Sequence, residues 1–192
     1  MPMRLIVRLV FWLWLLAALF VGNSLVLQRL PLPAVQGLLF ALTAGVLLLY
    51  ARNRRWHDWF NRLDLRSLVL LHVTRFVGIY FLVLYQRGEL PYAFAVPGGW
   101  GDILTATLAL LICFVPLRPA LRHRAITIWN ALGFVDIMLV VITAARLGLQ
   151  DPAQMRALTY LPLSLLPTFL VPLIIATHVI IFLRLRLETP AV

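Results

Sequence analysis

Arg75 and Asp136 lie deep inside long apolar stretches of the chain, where a charge is costly and usually either pairs or marks a pathway for ligands or protons. His72, Asn130 and His178 fall inside similar stretches. Counting about 1.5 Å per residue along a helix puts Asp136 near mid-depth, with His72, Arg75, Asn130 and His178 in the inner third. A guanidinium–carboxylate pair between Arg75 and Asp136 would compensate both charges, and Gly78 and Gly133 would let their helices approach closely. Such a pair reads either as a lock between two helices or as a ligand- or proton-binding centre. Arg75, Asp136, Asn130, His178 and Thr168 are the candidates for that centre. An Asp136 that carries a proton instead of pairing is a third alternative.

Other polar residues suggest less. His72 and His178 could ligate a haem or metal between two helices, but they lack a characteristic spacing and a third donor at their level. Hydrogen bonding between helices is the preferred reading for them, and no cofactor is expected. Asp102 follows a glycine at an expected helix start, where aspartate is a favoured N-cap; the alternative makes it an outer gate beside Glu89. Pro97, Gly98, Gly99 and Gly101 belong to the same outer connection: either the helix begins near Pro97, a favoured first-turn position, or residues 93–101 dip into the bilayer as a lid or vestibule. No H-E-x-x-H, nucleophile elbow or P-loop is present, so nothing points to an enzyme.

The elements that must position these residues are helices. Of the 192 residues 62% are hydrophobic and 12% charged, against about 25% charged in soluble domains, which excludes a water-soluble globule. Six stretches approach the roughly 20 apolar residues that cross a bilayer as a helix: residues 5–27, 33–50, 68–86, 98–115, 125–147 and 157–183. The fold class expected is all-α, one polytopic transmembrane domain. The first stretch is bulky and lacks a clean cleavage site, so it reads as a retained span. Twelve arginines flank the spans on one side and four on the other, which puts both termini in the cytoplasm. The net charge of +10 gathers at span ends, suiting anionic lipid headgroups and not nucleic acid. Arginine without any lysine suggests a GC-rich bacterial source, hence the inner membrane. The single Cys113 excludes a disulfide framework within the chain. A homodimer or a larger membrane complex is compatible with the small size, but no residue specifies either.

Three patterns refine this picture. Trp56, Trp59, Phe60 and Leu63 share one helical face, predicting an interfacial amphipathic helix over residues 54–66. Pro162, Pro167 and Pro172 free the carbonyls of Leu158, Leu163 and Thr168, so the last span should be kinked or locally unwound. Finally, Phe76–Ile79 echoes Phe134–Ile137 at an offset of 58, which also pairs His72 with Asn130 and Arg66 with Arg124.

Four blocks carry a family resemblance: Arg75-x-x-Gly78, Phe94 through Asp102, Trp129 through Asp136, and Leu161-Pro162-x4-Pro167 through Pro172-x5-His178. They resemble a family of small bacterial multi-pass membrane proteins with no assigned activity. The resemblance covers roughly residues 68–183, with Gly98 standing where alanine is expected, and leaves out the first two helices. It implies that the buried polar residues have a shared role, without identifying it. The function expected is a transporter-like or small-ligand- or proton-binding protein. The alternatives are a haem or metal redox protein using His72 and His178, and a structural subunit of a membrane complex.

Overall fold

The computed structural model describes residues 2–187 and contains helices but no strand among them. Nine α-helices follow in chain order: α1 Met3–Asn23, α2 Val26–Arg29, α3 Leu32–Arg52, α4 Arg54–Arg62, α5 Leu65–Leu71, α6 Val77–Gln86, α7 Tyr92–Phe114, α8 Pro119–Gln150 and α9 Val171–Leu187. Among the described residues, six helical segments are long and apolar enough to cross a membrane: Met3–Asn23, Pro33–Arg52, Leu65–Gln86, Tyr92–Phe114, Pro119–Gln150 and Leu166–Leu187. The chain divides into two compact units, Met1–Arg62 with Ala145–Leu173, and Leu63–Ala144 with Ile174–Val192.

In the first unit, the prolines shape the chain as their chemistry requires. The expected span over 157–183 is not α-helical at its start. A 3₁₀ segment, Pro152–Thr159, is capped by the Asp151 side chain on Ala153 N, and a turn leads into a π-helical segment, Leu166–Leu170. With no N–H at Pro167, the Leu163 carbonyl accepts from Leu166 N at 2.9 Å. The Thr168 carbonyl, freed by Pro172, accepts from Trp14 Nε1 of α1 at 2.9 Å. The Trp14 and Phe11 rings close on Phe169 edge-on, each 5.1 Å between centroids. One indole therefore both repairs a broken helical ladder and packs on it.

The interfacial-type helix is shorter than the expected 54–66. It ends at Arg62, because Asp64 caps a new helix by accepting from Arg66 N. Asn61 Oδ1 accepts from Tyr50 Oη at 3.1 Å, and His57 and Phe60 pack on the Tyr50 ring, tying α4 to the end of α3.

In the second unit, α5 passes into a 3₁₀ segment, His72–Phe76, before α6. Residues three apart eclipse in a 3₁₀ helix, so His72 and Arg75 project to the same side. Helix α7 starts after Pro91 and runs unbroken through Pro97. The helix thus begins earlier than the expected start near Pro97, and the alternative of a lid-like loop over Pro97, Gly98, Gly99 and Gly101 is corrected: the glycines serve close packing, not a turn. A Cβ on Gly78 would strike the Gly99 carbonyl and stand 2.8 Å from Asp102 Cβ. One on Gly99 would stand 2.8 Å from the Gly78 carbonyl. Thus α6 and α7 meet backbone to backbone.

Because these obstacles are backbone atoms, Gly78→Val and Gly99→Val should each cost about 3 kcal/mol, the upper end of overpacking penalties. Gly45→Ala in α3, where a Cβ meets nothing within 4 Å, should instead gain about 0.5–1 kcal/mol. Thermal unfolding of the detergent-purified variants measures both.

Candidate functional site

Three elements of the second unit converge on the Arg75 guanidinium. Its Nε donates to Asp102 Oδ1 at 2.6 Å, its Nη1 to the Gly133 carbonyl at 2.9 Å, and its Nη2 to Asp136 Oδ2. The guanidinium is a rigid fork of five N–H donors, and here its three nitrogens each take a different oxygen on α7 or α8. The side chains of Arg75 and Asp102 are 1% and 4% exposed, whereas that of Asp136 is 25% exposed. The centre is therefore closed around Arg75 and Asp102 and less enclosed at Asp136.

The Arg75–Asp136 contact expected from the sequence is present, but it is half of a larger arrangement. Asp102 does not cap a helix: it lies in the third turn of α7, and its carboxylate is the more buried partner of Arg75. The earlier start of α7 explains the difference, since a residue ten positions into a helix has no free N–H groups to cap. Gly101 completes the cradle, because a Cβ there would collide with the Asp136 carboxylate.

Beside this cluster, His72 and His178 are wholly buried, with ring centroids 4.2 Å apart. Asn130 fixes the His178 tautomer. Its Nδ2 donates to the His178 carbonyl at 3.0 Å, so its Oδ1, 2.8 Å from His178 Nδ1, must accept from that nitrogen. His72 Nε2 lies 3.2 Å from Thr177 Oγ1. The remaining ring nitrogens, His72 Nδ1 and His178 Nε2, have no hydrogen-bond partner among the described residues. The Trp129 ring closes on both imidazoles and its Nε1 donates to the Thr105 carbonyl at 2.9 Å. Gly133 leaves space for His178, whose Cε1 would stand 2.9 Å from a Cβ there.

The haem or metal reading of His72 and His178 does not fit this geometry. With metal–nitrogen bonds of about 2 Å, two imidazoles sharing one ion place their ring centres roughly 5–6 Å apart, wider than the 4.2 Å found. No group of three or more His, Cys, Asp or Glu side chains suited to a metal occurs among the described residues.

The other sequence candidates lie elsewhere. Thr168 belongs to the first unit, where its hydroxyl donates to the Ser164 carbonyl at 2.7 Å. Glu89 is exposed in the turn between α6 and α7, and Pro97 is exposed on α7. Gly98 and Gly99 are buried at helix contacts, Gly98 facing Val140. Sequence reasoning missed the roles of Trp129, Thr177 and the Gly133 carbonyl. The 58-residue offset held a partial signal: it pairs Arg75 with Gly133, which are hydrogen-bonded, and His72 with Asn130, which meet adjacent residues of α9.

The model of a domain of unknown function, DUF8737, matches residues 32–186. No curated protein and no solved structure matches the chain.

Removing one partner of a buried charge pair strands the other, at a cost of about 3–5 kcal/mol. Arg75→Leu, which strands two carboxylates, should be the most damaging single change. Asp102→Asn should cost more than Asp136→Asn, because Asp102 is the more enclosed partner of Arg75. Arg75→Leu combined with Asp102→Asn should be less harmful than the sum of the two. A thermal double-mutant cycle in detergent reads all of these.

Proposed function

Since the chain belongs to the DUF8737 family of domains of unknown function, its activity has to come from its own residues, and we propose that it is a transporter-like protein of the bacterial inner membrane that binds and releases a proton at Arg75, Asp102 and Asp136. The observation that carries this is the charge count of the centre. One guanidinium serves two carboxylates, so the trio is neutral only when it holds one proton. A buried lock needs one carboxylate per arginine; the second one creates a place for a proton. Asp136, a quarter exposed, is the exchange point, and Asp102 and Arg75 are the enclosed charges that bias it. His72 and His178, from the 3₁₀ segment and α9, supply buried acceptors beside the cluster. Substrate pathways and proton relays are among the uses to which intramembrane ionisable groups are put, and coupling of the proton to a second, small solute joins the two.

Six segments of membrane-crossing length support a polytopic protein. The arginine asymmetry, with Arg4, Arg8, Arg184 and Arg186 at the two ends, supports cytoplasmic termini.

Infrared pH-difference spectra of the reconstituted protein test the proton. Acidification should produce a protonated-carboxyl band in the wild type, and Asp136→Asn should abolish it. A wild type without such a band, or a band that survives both Asp102→Asn and Asp136→Asn, would make the centre a fixed interhelical lock. For the topology, a C-terminal reporter active only in the cytoplasm should be active, and one active only outside should be silent.

A further inference from the structure

Away from the polar centre, the first unit holds an open cleft of about 400 Å³ lined by Met3, Ile6, Arg55, Asp58, Trp59 and Arg62. Its construction follows from the helix α4. Arg55, Asp58, Trp59 and Arg62 stand at i, i+3, i+4 and i+7, one face of the helix. His57, Phe60 and Asn61 are engaged with Tyr50 at the end of α3, which holds α4 in place. Met3 and Ile6, one turn apart at the start of α1, form the apolar wall. Asp58 Oδ1 lies 3.6 Å from His57 Nδ1, and neither Arg55 nor Arg62 pairs with a carboxylate among the described residues. Two unpaired guanidinium groups seven residues apart, an indole and an aliphatic wall thus face a single cleft.

We propose that this cleft is a binding site for an anionic phospholipid: the phosphate takes Arg55 and Arg62, and an acyl chain lies along Met3, Ile6 and the rest of α1. The proposal rests on the membrane-spanning reading above, which puts the first turns of α1 and the amphipathic α4 at the bilayer boundary. Charge selects the headgroup. Guanidinium groups bind phosphate oxygens through paired N–H donors, and basic side chains at the cytoplasmic surface draw anionic lipid. The apolar wall selects an amphiphile over a free anion, because inorganic phosphate would leave Met3, Ile6 and Trp59 uncovered. Asp58, between the two arginines on the same face, accepts from a headgroup hydroxyl, as in a glycerol headgroup. Trp59 suits the same boundary, where amphipathic rings gather.

Native mass spectrometry of the full chain in detergent, with phosphatidylglycerol, phosphatidylcholine and glycerol phosphate as probes, tests this. Phosphatidylglycerol should be retained in preference to phosphatidylcholine. Arg55→Ala and Arg62→Ala should each weaken its binding about tenfold, the loss of a hydrogen bond between charged groups. Arg54→Ala removes the same charge outside the cleft and should leave binding unchanged. Equal losses for all three variants would reduce the effect to diffuse attraction, and equal retention of phosphatidylcholine would remove the selectivity; either overturns the site. Displacement of the lipid by glycerol phosphate at equal concentration would make it a site for free phosphate and also overturn the proposal. Alkaline carbonate extraction separates this failure from failure of the membrane reading. A wild type that stays with the membrane but shows no lipid preference sinks only the cleft; one that washes off sinks both.

Discussion

Burying a guanidinium commits the structure around it. An uncompensated charge away from water costs many kcal/mol, so Arg75 must find acceptors for its nitrogens inside the protein. It finds them on two helices, as the carboxylates of Asp102 and Asp136 and the carbonyl of Gly133. That demand explains features far from charge itself. Helices α6 and α7 must come close enough for a short bridge, hence glycine at 78 and 99. The Asp136 carboxylate must pass α7, hence glycine at 101. The 3₁₀ segment turns Arg75 and His72 to one side together, so the charged cluster and the imidazole pair become neighbours.

The same accounting operates on the backbone. Proline at 167 and 172 removes two donors from the last long helix, and an apolar surrounding offers no water to replace them. One orphaned carbonyl is taken within the segment by Leu166 N and the other by the indole of Trp14. The tryptophan is thus a structural substitute for a missing N–H. It stands where the helix has loosened to the π form, a conformation often associated with functional sites.

Two chemistries coexist without sharing residues. The enclosed centre has a surplus of negative charge, whereas the cleft on α4 has unpaired positive charge and an apolar wall. The first is suited to a small cation or proton, the second to an anionic amphiphile. Both follow from the number of charges each place contains, and neither depends on a catalytic motif.

Much of the architecture was legible in one dimension. Hydrophobic runs and arginine punctuation determined the number and approximate limits of the long helices, because crossing length and apolar content are local properties. Proline spacing determined where the last helix must yield, because the missing N–H is local too. The depth count brought out Arg75, Asp136, Asn130, His72 and His178. What it could not do was choose partners. Asp102 read as a cap because glycine and proline before it suggested a loop; only the packing of Gly99 against Gly78 shows why that stretch is helix and why Asp102 faces Arg75. Thr168 shared the motif blocks of the centre yet belongs to the other unit. Helix rotation and close approach decide which side chains meet, and they are set by contacts between residues tens of positions apart. The sequence determined which groups need compensation; the tertiary structure alone decided who supplies it.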